Sequence, residues 1–227
     1  MVNLDWPAFG LALWQVSDTL GIRPEWQLPV LYLESGFDPS IVNSIGCSGL
    51  NQFCPNAAGQ YVYLPVPVDQ YRAWPASQQL AGPVLAYWRD AQRYGPIRSA
   101  ARLMLAQLGP ALLGSATTLG SVVYAAPSAA YTGNSGLDAA GKGYFTVQDL
   151  ADAMARASQA PAVQQALAAA YAMRPGERPT DPVYGDDWST GGLTAVARRT
   201  PFPLFAAAAV TLAAVAGYAA LERRRFA

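Results

Sequence analysis

The 227-residue chain predicts a mainly α-helical domain followed by one hydrophobic C-terminal helix. Three observations predict it. Apolar residues recur at helical spacing through much of residues 1–173. Residues 174–200 are rich in Pro, Gly and Asp, the composition of a linker with little to bury. Phe202 to Leu221 then run about 20 residues without a charge, long enough to cross a hydrocarbon core at about 1.5 Å per residue.

The elements follow in order. Asp5 suits an N-cap with Pro7 in the first turn, and Phe9, Leu13, Val16 and Leu20 mark one apolar face. Gly21 stops that helix. Pro24 and Glu25 open the next, with Leu28, Leu31 and Tyr32 inward and an end near Ser35-Gly36. Residues 56–75, rich in Pro, Gly and Tyr, read as an irregular loop leading into helices. Gln78 to Tyr94 suits a helix interrupted by Pro83, Ile97 to Leu108 another, and Pro110 opens a weaker one. Gly133 to Gly143 is a Gly/Asn/Asp loop, Thr146 caps a helix through Met154, and residues 161–173 form an Ala-rich helix. The expected organisation is a domain at 1–173, a linker at 174–200, a membrane or anchor helix at 201–222 and a basic tail at 223–227.

Composition narrows the chemistry. Basic and acidic residues balance at 15 each, so bulk charge does not point to nucleic acid. The chain has no histidine, which removes Ser-His-Asp hydrolases, Cys-His proteases and His-ligated zinc. Its two cysteines are too few for an all-thiolate zinc site, and no cofactor or metal is expected. Cys47 and Cys54 suit either a local disulfide in an oxidising compartment or two small buried thiols.

Glu34 is the candidate catalytic residue. It closes the second helix among Leu28, Val30, Leu31, Leu33 and Phe37. A carboxyl in such surroundings can hold its proton near neutral pH and deliver it to a leaving oxygen. A negative charge at a helix C-terminus also opposes the helix dipole, so stability alone does not ask for it there. The alternative is a solvated surface glutamate.

From Glu34 the sequence reads Glu34-Ser35-Gly36-Phe37-Asp38-Pro39 and, nine residues on, Gly49-Leu50-Asn51-Gln52-Phe53-Cys54-Pro55. This pair of motifs resembles the lytic transglycosylase family of the lysozyme superfamily, which carries Glu-Ser-x-Phe-Asn-Pro and Gly-Leu-Met-Gln-Ile-x-Pro at similar spacing. Leu20-Gly21-Ile22-Arg23-Pro24-Glu25-Trp26 looks like the helix lead-in of phage-associated members. The match covers about residues 15–60, and a looser one reaches about residue 155. Asn51 stands where the family commonly has Met.

The resemblance implies a lysozyme-like fold and a peptidoglycan glycan strand as substrate. Glu34 would protonate the glycosidic oxygen between N-acetylmuramic acid and N-acetylglucosamine. The same carboxylate would then take the proton of the muramyl C6 hydroxyl as an anhydro ring closes, without the second carboxylate of ordinary glycosidases. Gln52 and Ser48 would contact the sugar near the cleaved bond. Ala129-Ala130-Tyr131-Thr132-Gly133 looks like the family's Ala-Tyr-Asn-Ala-Gly, with Thr132 for Asn, so Tyr131 would hydrogen-bond and orient Glu34. Tyr61 and Tyr63 are candidates to stack on sugar rings, with core packing the alternative fate. Asp38 reads as a turn residue. A hydrolytic lysozyme, or a non-catalytic structural or wall-binding protein that keeps the fold, are the competing readings.

Two further features remain. Asp138-x-Ala140-x-Lys142-Gly143-x-Phe145 … Asp149 has the register of a calcium loop, but Ala140 and Lys142 stand where oxygen ligands belong, so it reads as a tight turn that caps the next helix. Arg223, Arg224 and Arg225 follow the hydrophobic segment, and Arg198 and Arg199 precede it. The first three favour a cytoplasmic C-terminus, which places the domain in the periplasm or outside. The N-terminal residues lack the basic start and cleavage site of a secretory signal. The expected setting is a phage virion or bacterial envelope, with Phe202–Leu221 against lipid or a hydrophobic partner such as another virion protein.

Overall fold

Asp5 starts the first helix as its sequence predicts, its carboxylate accepting the Ala8 N–H at 3.0 Å. A computed structural model describes residues 4–177. Helix α1 (Trp6–Leu20) buries Phe9, Leu13, Val16 and Leu20 and ends at Gly21. Helix α2 (Pro24–Ser35) follows at once. Pro29 lies inside it, which normally costs a helix about 3 kcal/mol. Leu28, Val30 and Leu31 are fully buried beside it, each contributing roughly 1.5–3 kcal/mol, and this burial outweighs the break. Tyr32 is half-buried rather than inward.

Two short helices come next, α3 (Val68–Arg72) and α4 (Ala76–Gln79). The expected interruption at Pro83 takes a specific form. Leu80–Val84 is a π-helical turn, after which α5 (Leu85–Ala91) continues. The wider turn accommodates the prolyl ring and its missing N–H without ending the rod. Helix α6 (Ala100–Leu108) is the central element, with Ala100, Ala101, Leu103, Leu105 and Ala106 fully buried. Ser99 caps it by accepting the Arg102 N–H. A short α7 (Leu112–Ser115) succeeds it.

The strands β1 (Val122–Ala125) and β2 (Tyr144–Thr146) form an antiparallel pair, Tyr124 facing Phe145, with α8 (Ala129–Gly133) in the connection. Helices α9 (Val147–Ser158) and α10 (Pro161–Ala172) complete the described chain. Helix α2 packs on α6 and α9, and α10 lies on α1. A partly buried ionic cluster fastens α10 to α2: Arg23 Nε donates to Glu25 at 2.8 Å, and the Tyr171 hydroxyl donates to the same carboxylate at 2.6 Å.

The result is a mainly helical fold with little sheet, in line with the predicted class. Among the described residues no helix is long and apolar enough to cross a membrane. Phe202–Leu221, where such a helix is expected, the basic tail and most of the expected linker lie outside the described residues.

Candidate functional site

Glu34 occupies the last turn of α2 and is half-buried. The chain reverses directly after it. Gly36 ends the helix in the left-handed conformation, and Phe37 also has a positive φ, 69°. Phe37 tolerates that backbone because its ring is fully buried against Trp6, Phe9 and Tyr32. Asp38 is a turn residue, its Oδ1 accepting both the N–H and the hydroxyl of Ser40 at 2.8 and 2.7 Å.

The second motif is folded back onto this reversal. Gly49 N–H donates to Ile41 O at 2.9 Å, and Ser48 pairs with Phe53 through two backbone hydrogen bonds. Cys47 and Cys54 are joined by a disulfide, their Cα atoms 3.9 Å apart, which closes the loop around this turn. The fully buried Gln79 holds the turn from the helical side. Its Oε1 accepts the Leu50 N–H at 2.8 Å, while its Nε2 donates to Pro39 O and Tyr71 O, each at 2.9 Å. From α6, Gln107 Nε2 donates to Asn51 O at 2.8 Å.

Tyr87 of α5 packs against the second motif. Its ring packs edge-on against Phe53, centroids 5.6 Å apart, and its hydroxyl donates to Ala106 O at 2.9 Å. Burial first, then Tyr63 and the charge of Glu34, push its phenol well above the ordinary value. Tyr63 completes the cluster, edge-on to Tyr87 at 4.8 Å and stacked on Phe53 at 5.9 Å.

Several expected contacts take other forms. Ser48 is 0 % exposed and its hydroxyl donates to Gly46 O at 3.0 Å, so it shapes the turn. Gln52 is 7 % exposed, with a positive φ of 46°. Its Nε2 donates to Gly49 O at 3.0 Å, so the amide nitrogen serves the turn. Tyr131 does not take the orienting role expected of it. Its hydroxyl donates to Asp138 at 2.9 Å, because α8 is tied to the β-strand pair through stacking of Tyr131 on Phe145. Tyr61 donates to Gly46 O and braces the disulfide loop, whereas Tyr63 lines an open groove with Trp74. Asn51 is fully buried, and neither polar atom of its side chain meets a partner.

The loop with calcium-like register is a cap. Lys142 Nζ donates to both Asp149 oxygens at 2.9 and 2.7 Å, and Asp149 closes a capping box with Thr146. Burial opposes the charge of Asp138. Hydrogen bonds from the Lys142 and Gly143 backbone and from Tyr131 outweigh it and hold the carboxyl below its ordinary value.

Gln79 and Tyr87 were not singled out from the sequence as parts of one site. Gln79 gives no signal there, because its partners Pro39 and Leu50 are distant in the chain. No family model matches the chain, and neither a curated protein nor a solved structure matches it.

Proposed function

We propose that the chain is a peptidoglycan lytic transglycosylase that cleaves the β-1,4 bond between N-acetylmuramic acid and N-acetylglucosamine, with Glu34 as its single acid/base. One observation carries this reading: a half-buried carboxyl ends α2, and the Gly49–Phe53 turn is folded back onto the segment that follows it through the Gly49–Ile41 bond and the buried Gln79. A carboxyl at the end of an apolar helix is the kind of group that can deliver a proton to a leaving oxygen. Protonation of the bridging oxygen breaks the C1–O bond. The carboxylate so formed then accepts the C6 hydroxyl proton while that oxygen bonds to C1, which restores the acid. Asp38 is occupied by Ser40, which leaves Glu34 to serve both steps.

The setting proposed is a phage virion or bacterial envelope, with Phe202–Leu221 as the anchor. The inward-turned Ser48 and Gln52 favour one competing reading, a non-catalytic wall-binding protein that keeps the shape of the site.

The deciding experiment is a zymogram of the full chain and of Glu34→Gln on peptidoglycan, with mass spectrometry of released muropeptides. Clearing by the wild type alone, with anhydro ends, is the expected result. Ends heavier by one water identify a hydrolase. Equal clearing by both proteins removes Glu34 from the mechanism, and sedimentation with sacculi without clearing establishes the wall-binding reading.

A further inference from the structure

The turn that carries the second motif is held at its tip by the helical layer and at its base by the Cys47–Cys54 disulfide. Just inside the disulfide, Ser48 and Phe53 exchange two backbone hydrogen bonds at 2.8 and 3.0 Å. We propose that Cys54 is a site of thiol–disulfide exchange, at which a dithiol reductant opens the base of this turn and so switches the candidate site off in a thiol-reducing compartment. The regulatory part of the assignment rests on the proposed function, whereas the exchange at Cys54 does not.

Three features point there. First, the two cysteines differ in access. Cys54 is exposed, whereas Cys47 is 1 % exposed, so an incoming thiolate meets Cys54. Second, tip and base have separate supports. Gln79 holds the Leu50 N–H and Gln107 holds Asn51 O, each at 2.8 Å, so the tip is tied to α4 and α6 whatever the state of the sulfurs. The two sides of the base are joined by the Ser48–Phe53 pair and the disulfide. Third, Gln52, between base and tip, favours opening. Its φ is +46°, in the left-handed region, and its Oε1 is buried without a partner among the described residues. Opening lets that backbone relax and that oxygen reach water, and the disulfide opposes it.

The step balances as thiol exchange. A thiolate of the reductant attacks Cys54 Sγ and forms a mixed disulfide there. The bond between the two Sγ atoms breaks, and its electron pair leaves with Cys47. The second thiolate of the reductant then attacks its own sulfur in the mixed disulfide, which releases Cys54 and closes the reductant into a cyclic disulfide. Two electrons pass to the protein, and the two protons of the dithiol end on Cys47 and Cys54. Burial disfavours a charged leaving sulfur at Cys47, so bond breaking and opening of the turn go together. With the base open, the Gly49–Ile41 bond that seats the turn on the segment after Glu34 loses a support. Where disulfides persist the base is closed again.

The test treats the full chain with dithiothreitol and follows single-amide hydrogen exchange by NMR. Full reduction, confirmed by the mass of two added hydrogens, is expected to lower protection at Ser48 and Phe53 about tenfold, while Leu50 and α6 keep theirs. Cys47→Ala combined with Cys54→Ser is expected to match the reduced wild type and to ignore dithiothreitol. Glutathione, a monothiol, is expected to be found on Cys54 by peptide mass spectrometry. Unchanged protection after full reduction, or glutathione on Cys47 instead, overturns the proposal. Loss of protection at Leu50 or in α6 as well also overturns it and makes the disulfide a staple of the whole fold. On peptidoglycan, clearing by the oxidised chain is expected to fall about tenfold on reduction. No clearing in either state, with the exchange results as expected, leaves the Cys54 site standing and removes the enzymatic reading. Equal clearing in both states removes the switch and leaves the enzymatic reading in place.

Discussion

Gln79 Oε1 accepts the Leu50 amide at 2.8 Å, across 29 residues of chain, and this bond fixes the second motif to the helical layer. The amide nitrogen of the same side chain donates to the carbonyls of Pro39 and Tyr71. One buried side chain thus ties together the segment after Glu34, the Gly49–Phe53 turn and the loop that carries Trp74. Gln79→Leu keeps much of the volume but strands the Leu50 N–H and two carbonyls. A loss of about 2–4 kcal/mol is expected, read as a lower midpoint in urea unfolding. A loss under about 0.5 kcal/mol is incompatible with this role.

Gly49 is the tightest point of that arrangement. A Cβ there would sit 2.3 Å from Tyr71 and 2.7 Å from Gln79 Oε1, and the backbone has φ +78°. Both objections apply to any L side chain, and Tyr71 has no room to retreat because it is fully buried. Gly49→Ala is expected to cost about 2–4 kcal/mol and, on the proposed function, to lower cleavage with it. The nearby Gly59, where a Cβ meets nothing within 4 Å, is a control for conformation alone. Gly59→Ala should cost about 1 kcal/mol, since its φ is also positive. Equal melting temperatures for the two variants contradict the packing argument.

Asn51 is the reverse case, a residue whose replacement should help stability. Its side chain is fully buried and meets no internal hydrogen-bonding partner. Asn51→Met removes the unmet polar atoms at similar length, and a gain of about 1–3 kcal/mol is expected. Thermal unfolding of the two proteins checks it. A destabilised Asn51→Met shows that the site relies on the amide.

The helices and their order were largely legible because burial imposes a 3.6-residue period, as in Phe9, Leu13, Val16 and Leu20. Caps at Asp5 and Thr146 were legible because the capping chemistry is local. The β1–β2 pair was not. Its strands are short, and their connection runs from residue 126 to 143, so no two-residue turn marks a hairpin. At the candidate site, Glu34 and the turn at Gly49 stood out by their pattern. The partner of Tyr131 did not, because hydrogen bonding to Asp138 depends on how α8 meets the strands, which no local pattern encodes.

Tyr131 gives a sharp contrast between two roles. If it oriented the acid, Tyr131→Phe would reduce kcat strongly and distort the pH profile. Bound instead to Asp138, it supports the β-strand region. Tyr131→Phe is therefore expected to lower the melting temperature slightly, while the proposed cleavage of peptidoglycan changes less than about twofold in kcat. A hundredfold loss of kcat without loss of stability returns Tyr131 to the active centre.

Asp149 predicts how the C-terminal half responds to acid. Burial opposes its charge, but the Lys142 ammonium and the Thr146 N–H and hydroxyl outweigh burial and hold the carboxyl below its ordinary value. A carboxyl depressed in the folded state contributes stability that is complete above the unfolded pKa, about 4. That contribution is lost as pH falls through the lower folded value. Asp138 is depressed as well, so both act in the same direction. Protection from amide exchange, taken relative to the intrinsic rate at each pH, should therefore fall in Tyr144–Thr146 and the first turn of α9 below about pH 4, before it falls in α6. Asp149→Asn cannot carry the charge that meets Lys142, so it should be less stable at neutral pH. Its difference from the wild type should shrink as pH falls below about 4. A difference that is constant with pH assigns the effect of Asp149 to the neutral capping hydrogen bonds and excludes the ion pair as its source.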